Sequence, residues 1–148
     1  MAKPKICISF DYENDNKYRN AIRLWKYNEN IDFDIIDKTP SEIDTYRIDR
    51  IKAGLTEKIK ESNIILVLSG DYINSQHRDR YEIGCINWQN WECKKALELN
   101  KKIILVKIHS YNEVPKELLF KDREDVIGLE LDKIKKAIIN IMGVNAFY

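Results

Sequence analysis

The chain has 148 residues, of which 44% are hydrophobic and 33% charged, and near-balanced Lys+Arg and Asp+Glu give a formal net charge of +1. That length suits a single domain with one sizeable core. The composition is globular, with none of the bias of a disordered chain, and the charge balance argues against a basic protein built to hold a nucleic-acid backbone nonspecifically.

The N-terminus enters the strand-like run Lys5-Ile6-Cys7-Ile8-Ser9-Phe10 with no signal-peptide core before it, and no stretch is apolar for long enough to span a bilayer. A cytoplasmic protein is expected. A helix over Asn14 to Tyr27 follows, with Tyr18, Ala21, Ile22 and Trp25 spaced for one buried face, then a strand over Ile31 to Ile36. After the polar loop Asp37 to Asp44, a helix from about Tyr46 to Ser62 sets Ile48, Ile51, Leu55 and Ile59 along its inner side. Asn63 to Ser69 is continuous, β-branched and apolar, as a central strand covered on both faces must be. A second polar loop, Gly70 to Arg78, leads into a helix ending near Asn100. Lys102 to Ile108 then reads as a fourth strand, Val126 to Leu129 as a fifth and Asp132 to Met142 as a last helix, with 109–125 either loop or short helix. Alternating strands and helices predict one α/β domain over 1–148, a mostly parallel five-stranded sheet flanked by helices.

Ligands of such sheets bind beyond the carboxyl ends of the strands. Those ends read Ser9-Phe10-Asp11, Asp37-Lys38-Thr39 and Ser69-Gly70-Asp71, a set suited to a polar ligand with an aromatic part. The five glycines form neither Gly-x-Gly-x-x-Gly nor a P-loop, which disfavours a nicotinamide dehydrogenase or a P-loop nucleotidase. Two histidines, His77 and His109, and no Cys-x-x-Cys pair give no transition-metal spacing, so no metal is expected. Cys7, Cys85 and Cys93 fall in apolar settings as reduced fillers.

Glu92 is the misplaced residue. At about 100° per residue it falls within an apolar stripe of Cys85, Trp88, Ala96 and Leu99. A buried carboxylate costs several kcal/mol unless compensated, so Glu92 must pair with a cation, be protonated, or line a cleft where a ligand bonds to it. Trp88, one turn earlier, suits either core or the wall of a ring pocket, and Trp91 points to core. Asp79-Arg80-Tyr81-Glu82 has the spacing of a capping box, which assigns Glu82 to a helix start. Glu13 and Asp15 read as solvated helix-start acids, whereas Asp11 stands at a strand end.

The run Ile8-Ser9-Phe10-Asp11-Tyr12-Glu13-Asn14-Asp15, the strand Asn63 to Ser69, the pattern Trp88-x-x-Trp91-Glu92 and the exit Ala96 to Ile104 together resemble the TIR-like family, most closely the TIR-like proteins of bacterial Thoeris antiphage systems. The resemblance implies a flavodoxin-like fold and an NAD glycohydrolase or cyclase whose glutamate corresponds to Glu92. NAD is then the substrate and no separate cofactor is expected. Ser9, Phe10, Asp11, Ser69 and Trp88 are the expected substrate contacts, by strand-end position and by analogy. The resemblance further implies a cyclic or conjugated ADP-ribose signal reaching a separate effector protein, with self-association and a phage-derived trigger as open possibilities. The Asp37 to Ser41 loop lacks the Pro-Gly pair of many eukaryotic TIR loops. Two other readings stand beside this one, a noncatalytic TIR-like interaction module and a nucleoside deoxyribosyltransferase-like enzyme.

Overall fold

The structure, a computed structural model, describes residues 3–28, 31–36 and 46–143. The strands β1 (Lys5–Ser9), β2 (Asp34–Ile36), β3 (Ile64–Ser69), β4 (Lys102–Lys107) and β5 (Glu124–Ile127) form one sheet in the order β2-β1-β3-β4-β5. Every pairing is parallel. Around it lie α1 (Asn16–Leu24), α2 (Ile48–Glu61), the single turn α3 (Arg80–Ile83), α4 (Trp88–Glu98) and α5 (Leu131–Met142). This is the expected flavodoxin-like α/β arrangement. The polar loop Asp37 to Asp44 lies outside the described residues.

Side chains alternate across a strand, and the core divides accordingly. Ile6, Ile8, Ile64, Leu66, Leu68, Ile104 and Val106 face one side, packed with Ile22 of α1 and Ile134 and Ile138 of α5. Cys7, Ile65, Val67, Ile103 and Leu105 face the other, packed with Ile59 of α2 and Cys93 and Ala96 of α4. All six residues of β3 are buried, as its uninterrupted apolar run requires. A third cluster joins α2 to α4 through Leu55, Ile83, Cys85, Trp88 and Trp91.

Three local expectations need correction. The helix expected to run unbroken to Asn100 is interrupted, because Gly84 closes α3 at φ +87° and Asn87 restarts the chain as N-cap of α4, its Oδ1 accepting from Asn90 N at 2.9 Å. Glycine in the left-handed region and Asn at an N-cap are ordinary stop and start signals that the continuing apolar stripe had masked. The capping box at Asp79 does not form: Asp79 makes no side-chain cap bond, and Glu82 is exposed. In α1 it is Arg19, not Ala21, that is buried beside Ile22. The 109–125 segment holds one 3-10 turn, Lys116–Leu118, before β5.

Candidate active site

The carboxyl ends of β1 and β3 and the first turns of α4 enclose a cleft. Phe10, Asp11 and Tyr12 line it from the end of β1, Asn87, Trp88, Gln89 and Glu92 from α4, and Tyr72, Ser75, Gln76 and His77 from the loop after β3. It encloses about 150 Å³, roughly the volume that holds one benzene-sized ring.

Glu92 lines this cleft although it is only 2% exposed. Its Oε1 accepts from Ser9 Oγ at 3.0 Å, and its Oε2 lies 2.5 Å from Lys58 Nζ. Lys58, 3% exposed on α2, also donates to the Ile8 carbonyl at 3.2 Å. Of the ways open to a carboxylate in an apolar stripe, two therefore occur together: Glu92 has a cation and also meets a cleft.

The residues singled out from the sequence divide clearly. Ser9, Phe10, Asp11, Trp88 and Glu92 are brought together; Ser9 is fully buried behind the cleft, its hydroxyl bonded to Glu92. Arg19 lies over the Phe10 ring, 5.4 Å from its centroid, and Trp88 meets Trp91 edge-on at 5.9 Å. Asp11 turns its carboxylate into its own loop, accepting from Glu13 N at 3.0 Å, Asn14 N at 3.3 Å and Asn14 Nδ2 at 2.7 Å. Ser69 is not among the cleft residues; its Oγ donates to the Glu113 carbonyl.

Asp15 is not solvated as expected. It is 6% exposed, its Oδ2 has no hydrogen-bond partner, and its carboxyl is pushed up to about 6 by burial and then by Asp11 and Asp71, against a smaller opposing pull from Lys17. The Tyr12 hydroxyl is likewise raised, by burial and by Glu13 and Asp11.

Two features escaped the sequence reading. Lys58 stands among Leu55 and Ile59 in the buried stripe of α2, the same anomaly that exposed Glu92 on α4. Amides of α4 also fasten the cleft wall: Gln89 Nε2 donates to the Ser9 and Leu68 carbonyls, and Asn90 Nδ2 to the Ile73 carbonyl. The three cysteines are free and buried, with thiols raised chiefly by burial. No group of three or more His, Cys, Asp or Glu among the described residues could hold a metal ion. No helix among them is long and apolar enough to cross a membrane.

Fold and cleft define a flavodoxin-like α/β domain with a cleft at the carboxyl edge of its sheet, where ligands of such sheets bind. The family model described as "Thoeris protein ThsB, TIR-like domain" matches residues 7–113, and the chain belongs to that family. The membership supports an antiphage TIR-like role. No curated protein matches the chain. Among solved structures it is similar to a 3-dehydroquinate dehydratase-like protein from Bifidobacterium longum, with 10% identity over 97% of this chain and 99% of that one and a TM-score of 0.47. That likeness bears on neither fold nor activity.

Proposed function

We propose that the chain cleaves NAD, releasing nicotinamide and forming an ADP-ribose-derived product that acts as an antiphage signal. The observation that carries this reading is Glu92 at a cleft walled by Trp88 and Phe10, with its two oxygens held by Ser9 and Lys58. Trp88 and Phe10, both lining the cleft, supply aromatic surface suited to a flat ring. A carboxylate accepts through about four lone-pair positions, so Glu92 keeps capacity for ribose hydroxyls while its two bonds persist.

In the reaction the bond between ribose C1 and the nicotinamide nitrogen breaks, and its electron pair leaves with nicotinamide. Glu92 stabilises the oxocarbenium-like centre left on the sugar. Capture by water gives ADP-ribose and a proton; capture by an adenine nitrogen of the same molecule gives a cyclic product. A diffusible cyclic product is the form that would reach a separate effector, with a phage-derived trigger or self-association setting when the site works.

Mass spectrometry of products after incubating wild type and Glu92→Gln with NAD tests this. Nicotinamide from wild type alone is the expected result, and equal turnover by both removes Glu92 from the mechanism. The Lys58 pair would also suit a noncatalytic interaction module, in which Glu92 is purely structural. That reading gains if neither protein consumes NAD while the domain self-associates or captures a partner.

A further inference from the structure

We propose that Lys58 is the positioning residue for Glu92, fixing the carboxylate in the orientation in which it meets the cleft. The inference rests on the reading of Glu92 as the catalytic group.

Lys58 lies on α2, and its side chain runs inward to join three elements, donating to the Ile8 carbonyl of β1 at 3.2 Å and to Glu92 of α4 at 2.5 Å. Both side chains are at least 97% buried. Ser9 holds the other carboxylate oxygen from the end of β1. The carboxylate is therefore gripped at both oxygens by groups rooted in different elements, and it cannot rotate without breaking one bond. A cation this close weakens the pull of the carboxylate on a positively charged sugar centre. What Lys58 contributes is therefore orientation, set during folding and carried into the reaction without further ordering. It touches no substrate on this account.

The test compares NAD turnover by wild type, Lys58→Met, Glu92→Gln and the double variant, with a crystal structure of Lys58→Met. Lys58→Met is expected to lower kcat by about 100-fold, the scale of a misplaced reacting group, with KM within about twofold because ring binding is untouched. Glu92→Gln and the double variant set the floor of turnover, both expected to release no nicotinamide, and the crystal structure of Lys58→Met should show the Glu92 carboxylate turned away from Ser9. Wild-type or higher kcat in Lys58→Met, or a Glu92 carboxylate that keeps its bond to Ser9 in that crystal structure, overturns the proposal. Should Lys58→Met fail to fold, Lys58→Gln, which keeps a donor but removes the charge, takes its place with the same readouts. If wild type itself leaves NAD intact, the proposed function fails, and the crystal structure alone decides the positioning: an unmoved carboxylate overturns it.

Discussion

A methyl group on Gly70 would lie 2.7 Å from both Cγ and Oδ1 of Asp15, and closer still to its Oδ2. The end of β3 and the start of α1 meet with no room for a side chain, and the meeting point is a buried carboxyl with an unpartnered oxygen. Gly70→Ala should therefore destabilise the fold by about 1–3 kcal/mol, the usual cost of overpacking. Because the clash is with a side chain, Asp15→Ala should recover most of that loss. Urea unfolding of the two single variants and the double variant reads the coupling, and additive effects would show that the backbone at Gly70 matters for another reason.

Asp15 also makes stability depend on pH. Its carboxyl is raised from 3.8 to about 6 by burial first and then by Asp11 and Asp71. Between those values the folded state binds more protons than the unfolded chain, so stability falls as pH rises. The contribution is fully present below 3.8 and lost as pH climbs through about 6. Ionised, Asp15 costs the fold on the order of 1–3 kcal/mol. Relative to wild type, Asp15→Asn should be more stable at pH 7.5 than at pH 4.5 by that margin. A difference independent of pH, measured by urea unfolding at both values, would refute the account.

The buried pair of Lys58 and Glu92 shows what could be read in advance and what could not. Glu92 was visible as a carboxylate inside the apolar stripe of α4, but periodicity within one helix does not reveal which residue of another faces it. Lys58 bears the same signature on α2, and two opposite charges in two apolar stripes each predict the other once both are noticed. β3 was legible because a strand covered on both faces has only one kind of sequence. The break between α3 and α4 was obscured because Gly84 and Asn87 lie inside a run whose apolar spacing never lapses. Asp15 was misread because its burial comes from contact with Gly70, fifty-five residues away in sequence, and no local pattern records that contact.

Asn90 predicts a link between stability and substrate affinity. It is fully buried on α4; its Nδ2 donates to the Ile73 carbonyl at 3.1 Å, to Asn74 Oδ1 at 3.2 Å and to Asn87 Oδ1 at 3.1 Å, and its Oδ1 accepts from Glu117 N at 3.0 Å. It thus fastens both the loop that carries Ser75, Gln76 and His77 into the cleft wall and the 3-10 turn beyond it. Asn90→Ala leaves the part-buried Glu117 N–H without its acceptor, at about 1–3 kcal/mol for a group left unsatisfied, while Asn87 Nδ2 still bonds the Ile73 carbonyl at 2.8 Å. Thermal unfolding should register that loss, and KM for NAD should rise more than kcat falls, because the wall loosens while Glu92 keeps its partners. A fall confined to kcat would contradict the assignment of this network to the wall.

Ser9 and Ser69 end adjacent strands and were equivalent in sequence, yet their hydroxyls point to different outcomes. Ser9 Oγ donates to Glu92 Oε1, whereas Ser69 Oγ donates to the Glu113 carbonyl outside the cleft. Removing the Ser9 hydroxyl frees one side of the carboxylate while Lys58 still holds the other, so Ser9→Ala should lower kcat by roughly tenfold, less than the loss of positioning by a misplaced group. Ser69→Ala should instead appear as about 1 kcal/mol of lost stability, the typical net worth of one hydrogen bond. Parallel turnover and unfolding measurements on the two variants separate the cases. If Ser69→Ala lowered kcat as much as Ser9→Ala with its stability intact, the hydroxyl of Ser69 would have to reach the substrate, and the cleft would extend to the last residue of β3.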